Sequence, residues 1–183
     1  MQQRLSPYEL AYCGLFGAAA LLLPTLFHLV HLGHIFMPMY LPLVALAFFV
    51  RPLPVAITAA LVPMLSALVT GMPPLYPPVG PIMAIELAVM TALIAAARRR
   101  WPARHELALL VPALLLGRVL YVALATAFAL LVELPPAFVA GLSFVSGWPG
   151  VVLMIAVVPF IVRAADGARS WASPAPEWPD ELS

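Results

Sequence analysis

ELALLVPALLLGRVLYVALATAFALLV, residues 106–132, decides the fold. The run is longer than the ~20 apolar residues that cross a bilayer. After Glu106 its only charge is Arg118, well inside the stretch. A charge near the bilayer centre costs about 2.5–3.5 kcal/mol on insertion scales, so a chain that keeps one gives it a partner, a water-filled cavity or a ligand. Every other arginine falls at the edge of an apolar stretch, and there are no lysines. One carboxylate, Glu86, is similarly embedded in another apolar run. The two charges point to a polar site inside a membrane-embedded bundle.

Composition agrees. Of 183 residues, 64% are hydrophobic and only 9% charged, which no soluble domain tolerates. A net charge of +1 without a basic stripe offers nothing to track nucleic-acid phosphates. The single cysteine, Cys13, allows neither an intrachain disulfide nor a cysteine metal cluster. The N-terminal stretch does not read as a cleavable signal, because its apolar run is long and further spans follow.

Working outward from residues 106–132, five more apolar stretches are bounded by proline, glycine or arginine. They are Tyr8–Leu32, Tyr40–Val50 (short for a span), Leu53–Thr70, Pro81–Ala97 and Trp148–Ala165. Ser6, Pro7 and Glu9 form a start signal for the first: an N-cap, a proline at the first helical position, and a carboxylate reaching back. The fold class is an all-α membrane protein, a compact bundle of six transmembrane helices over residues 1–165. The polar, proline-rich residues 166–183 read as a disordered cytoplasmic tail.

Arginine placement sets the topology. Arg4, Arg51, Arg98, Arg99, Arg100, Arg104, Arg163 and Arg169 fall before helix 1, between helices 2 and 3, between 4 and 5, and after 6. The other three loops have none, so both termini are expected in the cytoplasm (N-in, C-in) of a cell's inner (plasma) membrane. The outer segments Gly71–Pro81, with five prolines and no charge, and Gly33–Tyr40 are too apolar to want water. Both read as non-helical covers over an outward-facing pocket.

Counted from the ends of their helices, Arg118 is expected on the order of 12 Å deeper than Glu86 at ~1.5 Å per residue. The two are either a structural ion pair locking helices 4 and 5 or part of a ligand site. Tyr121, about one turn from Arg118, can share that site. His28, His31 and His34 do not have the i, i+4 spacing of a helical zinc pair. They read as interfacial groups, ligand contacts or, least favoured, a metal site. Gly14 and Ala18 on helix 1 are small residues four apart, which permits close approach of a helix from the bundle or from a partner. No catalytic or nucleotide-binding motif appears, and no cofactor is implied, so the chain is read as a non-enzyme.

Four segments resemble the substrate-binding S components of energy-coupling factor (ECF) transporters: Met37-Pro-Met-Tyr-Leu-Pro42; Leu65-Ser-Ala-Leu-Val-Thr-Gly-Met-Pro-Pro74; Glu86-Leu opening into an alanine-rich helix; and Gly147-Trp-Pro-Gly150 with Val158-Pro159 further on. They extend over about Phe27 to Val162. The chain departs from that pattern at Tyr40, where histidine is common, and at Met154, where glutamine is common. The resemblance implies a vitamin-binding bundle that docks through Gly14 and Ala18 onto a transmembrane T subunit, itself coupled to two ATPases. Glu86, Arg118, Tyr121, Tyr40, Tyr76, His34 and Trp148 are then the expected ligand contacts. Two rivals stand beside it: a structural membrane subunit of the rod-shape machinery, and an intramembrane metalloenzyme using the three histidines.

Overall fold

A computed structural model describes residues 5–29, 38–132 and 148–171. Among them all regular structure is helical: α1 Pro7–Leu29, α2 Tyr40–Leu46, α3 Pro52–Thr70, α4 Val79–Arg100, α5 Glu106–Leu131 and α6 Trp148–Trp171. Five of the six are long and apolar enough to cross a membrane; α2 is not. His31, His34, the segment around Phe36, and residues 172–183 of the expected tail lie outside the described residues, as does the side chain of His28.

The helix boundaries follow local chemistry. At the start of α1, the Glu9 N–H donates to Ser6 Oγ and the Ser6 N–H donates to Glu9 Oε2, both at 3.2 Å, closing the expected capping box. Arg51, next to Pro52, takes the extended conformation that a following proline favours (φ −63°, ψ 157°), which separates α2 from α3. Gly71 ends α3 with φ 75°, a left-handed conformation open to glycine, and its N–H returns to the Ala67 carbonyl.

Three expectations are corrected. The second stretch is helical only to Leu46 and continues to Val50 as turns, with bonds such as Phe48 N–H to the Ala45 carbonyl. The Gly71–Pro81 segment is not wholly irregular, because α4 begins at Val79. Pro81 sits in its first turn, where a missing N–H costs no helical bond. Finally, α6 does not stop at Ala165 but runs to Trp171, since no proline interrupts residues 160–171.

α2 is the centre of the bundle. It touches α1, α3, α4 and α6, and Leu43, Val44, Ala45 and Leu46 are fully buried. A helix apolar on every side and without charge suits that position. Around it, α4 packs between α3 and α5, α6 closes against α2 and α5, and α1 lies outermost against α2 and α3. The outer surface is greasy: Leu22, Leu68, Leu130 and Phe160, on four helices, are 64%, 70%, 76% and 74% exposed. Such a surface suits acyl chains, and the backbone within each long helix satisfies its own hydrogen bonds.

Among the described residues, one end of the bundle gathers the surface charges. Arg51 pairs with Glu9 at 2.6 Å, Arg163 approaches Glu106 at 3.6 Å, and Arg98 approaches Asp166 at 4.0 Å. These contacts bring together the starts of α1, α3 and α5 and the ends of α4 and α6. The Glu9 carboxylate holds the Arg51 pKa above its ordinary value, chiefly by side-chain hydrogen bonding, so this guanidinium stays charged.

A buried carboxylate–guanidinium site

The first turn of α2, the first two turns of α6 and the middles of α4 and α5 meet at a small cavity lined by Tyr40, Glu86, Met90, Leu114, Arg118, Val151 and Met154. Glu86 is 1% exposed, Tyr40 3% and Arg118 8%, so all three polar groups are withdrawn from the surface. The Tyr40 hydroxyl donates to Glu86 Oε2 at 2.5 Å, a short hydrogen bond. Arg118 acts electrostatically on both Tyr40 and Glu86. Tyr121 is buried beside Ile82 and Ala125, within electrostatic range of Glu86 and Arg118. No buried side-chain nitrogen or oxygen among the described residues lacks a hydrogen-bond partner.

The expected depth difference between Glu86 and Arg118 does not hold. A Cβ on Gly117, the neighbour of Arg118, would lie 3.5 Å from Glu86 Oε1, so the two levels coincide. The error lay in counting from ragged helix ends. Measured from the short 101–105 connection, Glu86 lies about 21 Å along α4 and Arg118 about 18 Å along α5, at ~1.5 Å per residue. The outer end of α5 simply projects further.

Gly117 also sets the spacing of α4 and α5. The same Cβ would approach Met90 Sδ to 2.8 Å, closer than real contacts allow. Met90 lies one turn after Glu86 on α4, and Leu114 one turn before Arg118 on α5, so helical periodicity marks both as cavity neighbours. Sequence reading singled out neither. Met154 stands out in the sequence only as a departure from the ECF pattern, whereas Tyr40 is both a departure and an expected ligand contact; both line the cavity.

Not every expected contact converges here. Tyr76 is 71% exposed on the connection between α3 and α4, and Trp148 is 39% exposed at the start of α6; neither lines the cavity. The 71–78 connection is tied to the helix ends instead. Ser66 Oγ donates to the Met72 carbonyl at 2.7 Å, and the Gly80 N–H donates to the Pro74 carbonyl at 3.0 Å. Its backbone packs down while the Tyr76 ring projects outward.

The cavity itself is about 10 Å³, room for roughly one water. Sites for small organic ligands occupy ~300–1,000 Å³. This conformation is thus closed, and admitting a ligand requires the surrounding elements to part.

On α1, Gly14 and Ala18 are exposed, and a Cβ on Gly14 would meet nothing within 4 Å. The inward small residues are Gly17 and Ala20; a Cβ on Gly17 would touch Thr58 and Val62 of α3. Packing within the bundle therefore uses the second pair and leaves the first on the outer face.

The chain matches no protein-family model, no curated protein and no solved structure.

Proposed function

We propose that this chain is the substrate-specific S component of an ECF-type importer, binding a vitamin or related micronutrient from outside the cell. The observation that carries the reading is the meeting of a carboxylate, a guanidinium and the Tyr40 phenol at one buried cavity, with Tyr121 buried nearby, in a bundle with an apolar exterior. Intramembrane ionisable groups are functional by default, because burying them costs too much to keep otherwise. In this reading Arg118 meets an anionic group of the ligand, and Glu86 accepts from a donor-rich ring. Tyr40 and Tyr121 supply aromatic faces.

Binding exchanges one partner for another: a ligand donor takes the place of the Tyr40 hydroxyl on Glu86. The T subunit docks at the outward-facing Gly14 and Ala18, and two ATPases supply the energy. The chain itself carries no nucleotide-binding motif. The arginine-bearing end faces the cytoplasm by the positive-inside rule, with both termini on that side of the plasma membrane.

A second reading is favoured by the size of the cavity. A structural subunit of the rod-shape machinery needs no ligand, and the polar cluster then locks α2, α4 and α5 together. Native mass spectrometry of gently purified protein, alone and after incubation with a vitamin panel, separates the two. A retained small molecule supports the importer; an empty spectrum throughout supports the structural bundle. With a ligand in hand, Arg118→Ala is expected to weaken its binding by much more than tenfold while the bundle still folds. Unchanged affinity would move the site elsewhere.

A further inference from the structure

A second, larger cavity lies at the arginine-bearing end, away from the buried site. It has a volume of about 600 Å³ and is lined by residues of α1 and α3, by Leu5 ahead of α1, and by Arg51 and Arg99. Its walls are mostly apolar, with Leu5, Leu10, Leu53, Pro54 and Ile57 among them. An occupant must therefore be greasy along most of its length and polar at one end.

The charges decide which polar end. Arg51 is engaged by Glu9 through two bonds, Nε to Oε1 and one terminal nitrogen to Oε2, both at 2.6 Å. That pair is neutral as a unit. Arg99 is exposed, and none of the ion pairs among the described residues uses it. The cavity lining thus carries one net positive charge, which matches the single negative charge of a phosphodiester. A zwitterionic headgroup would also bring an ammonium, and the nearest carboxylate, Glu9, is already committed to Arg51.

We propose that this groove binds one anionic phospholipid, with its phosphate at Arg99 and Arg51 and an acyl chain along Leu10, Leu53 and Ile57. Basic pockets between transmembrane helices, on the side where the leaflet is anionic, suit such headgroups. The site is independent of the buried cluster and of the importer reading.

The test is native mass spectrometry of the full chain with added phosphatidylglycerol or phosphatidylcholine of identical acyl chains. Wild type is expected to retain one phosphatidylglycerol at tenfold or more lower lipid concentration than phosphatidylcholine. Arg99→Gln should erase that preference, and Ile57→Trp, which fills the groove, should reduce retention of both lipids. Arg100→Gln removes the same charge one residue away, outside the groove lining, and should keep the preference. Equal retention of the two lipids by wild type would overturn the proposal, as would equal losses in Arg99→Gln and Arg100→Gln. Displacement of the lipid by excess soluble glycerol phosphate would also overturn it, by showing a bare phosphate site instead.

Discussion

At the scale of single residues, the buried site depends on one absent side chain. Gly117 has no Cβ, and that lets Met90 and Glu86 come up against the backbone of α5. Gly117→Val is therefore expected to destabilise the bundle by about 1–3 kcal/mol, the usual cost of overpacking a core. Gly117→Ala should cost less, because the Met90 thioether is adaptable. Thermal unfolding in detergent reads both; a Gly117→Val protein as stable as wild type would mean that α4 and α5 are further apart than described. The charges at this site were legible in the sequence, since an arginine and a glutamate in apolar runs stand out without any structure. The direct partner of Glu86 was not. Tyr40 is one of several aromatic candidates in the sequence, and nothing in linear spacing separates it from Tyr76. Only the fold puts one phenol on the carboxylate and the other on the surface.

Among elements, α1 is the least buried of the long helices, and its clearest polar anchor is the Glu9–Arg51 pair. The same carboxylate closes the capping box, so Glu9 ties helix start and neighbouring backbone at once: the Arg51 N–H also donates to its Oε1 at 3.2 Å. Stacking of Tyr12 on Phe49 adds a second attachment one turn on. Glu9→Gln is expected to loosen this end of α1, seen as a several-fold faster reaction of Cys13 with a water-soluble maleimide. Cys13 is the only cysteine and is partly buried there, so the label reports on a single position. An unchanged rate would show that apolar packing alone holds the helix. The sequence exposed the capping box through Ser6, Pro7 and Glu9, but not the bridge to Arg51, which joins residues 42 positions apart. The long helices were legible to within a few residues at most ends. α2 was not, because a run of apolar residues reads alike as a short span and as a plug within a bundle.

For the whole molecule, the gathering of the described surface arginines at one end turns a sequence rule into a geometric polarity. A fluorescent protein fused after Ser183 is expected to mature and fluoresce, while alkaline phosphatase inserted at Tyr76 should be active. The reverse pattern would invert the bundle and place the buried site's entrance on the other side of the membrane. This polarity was readable from the sequence because it rests on which loops contain arginine. The closed state of the site was not, because whether helices part or meet around a charge depends on contacts among four of them.

The central position of α2 has a consequence for biosynthesis. Its burial is shared with Val151, Met154, Val158 and Val162 of α6, all of them core residues and all near the end of the chain. The ribosome delivers α2 well before those covering residues, with α3, α4 and α5 in between. For the whole interval between, a helix that is buried on almost every side in the finished protein has only part of its shelter. It must wait among lipids or against the insertion machinery until α6 arrives. A nascent chain released before Val162 thus leaves its own centre uncovered, a form that membrane quality control is equipped to find.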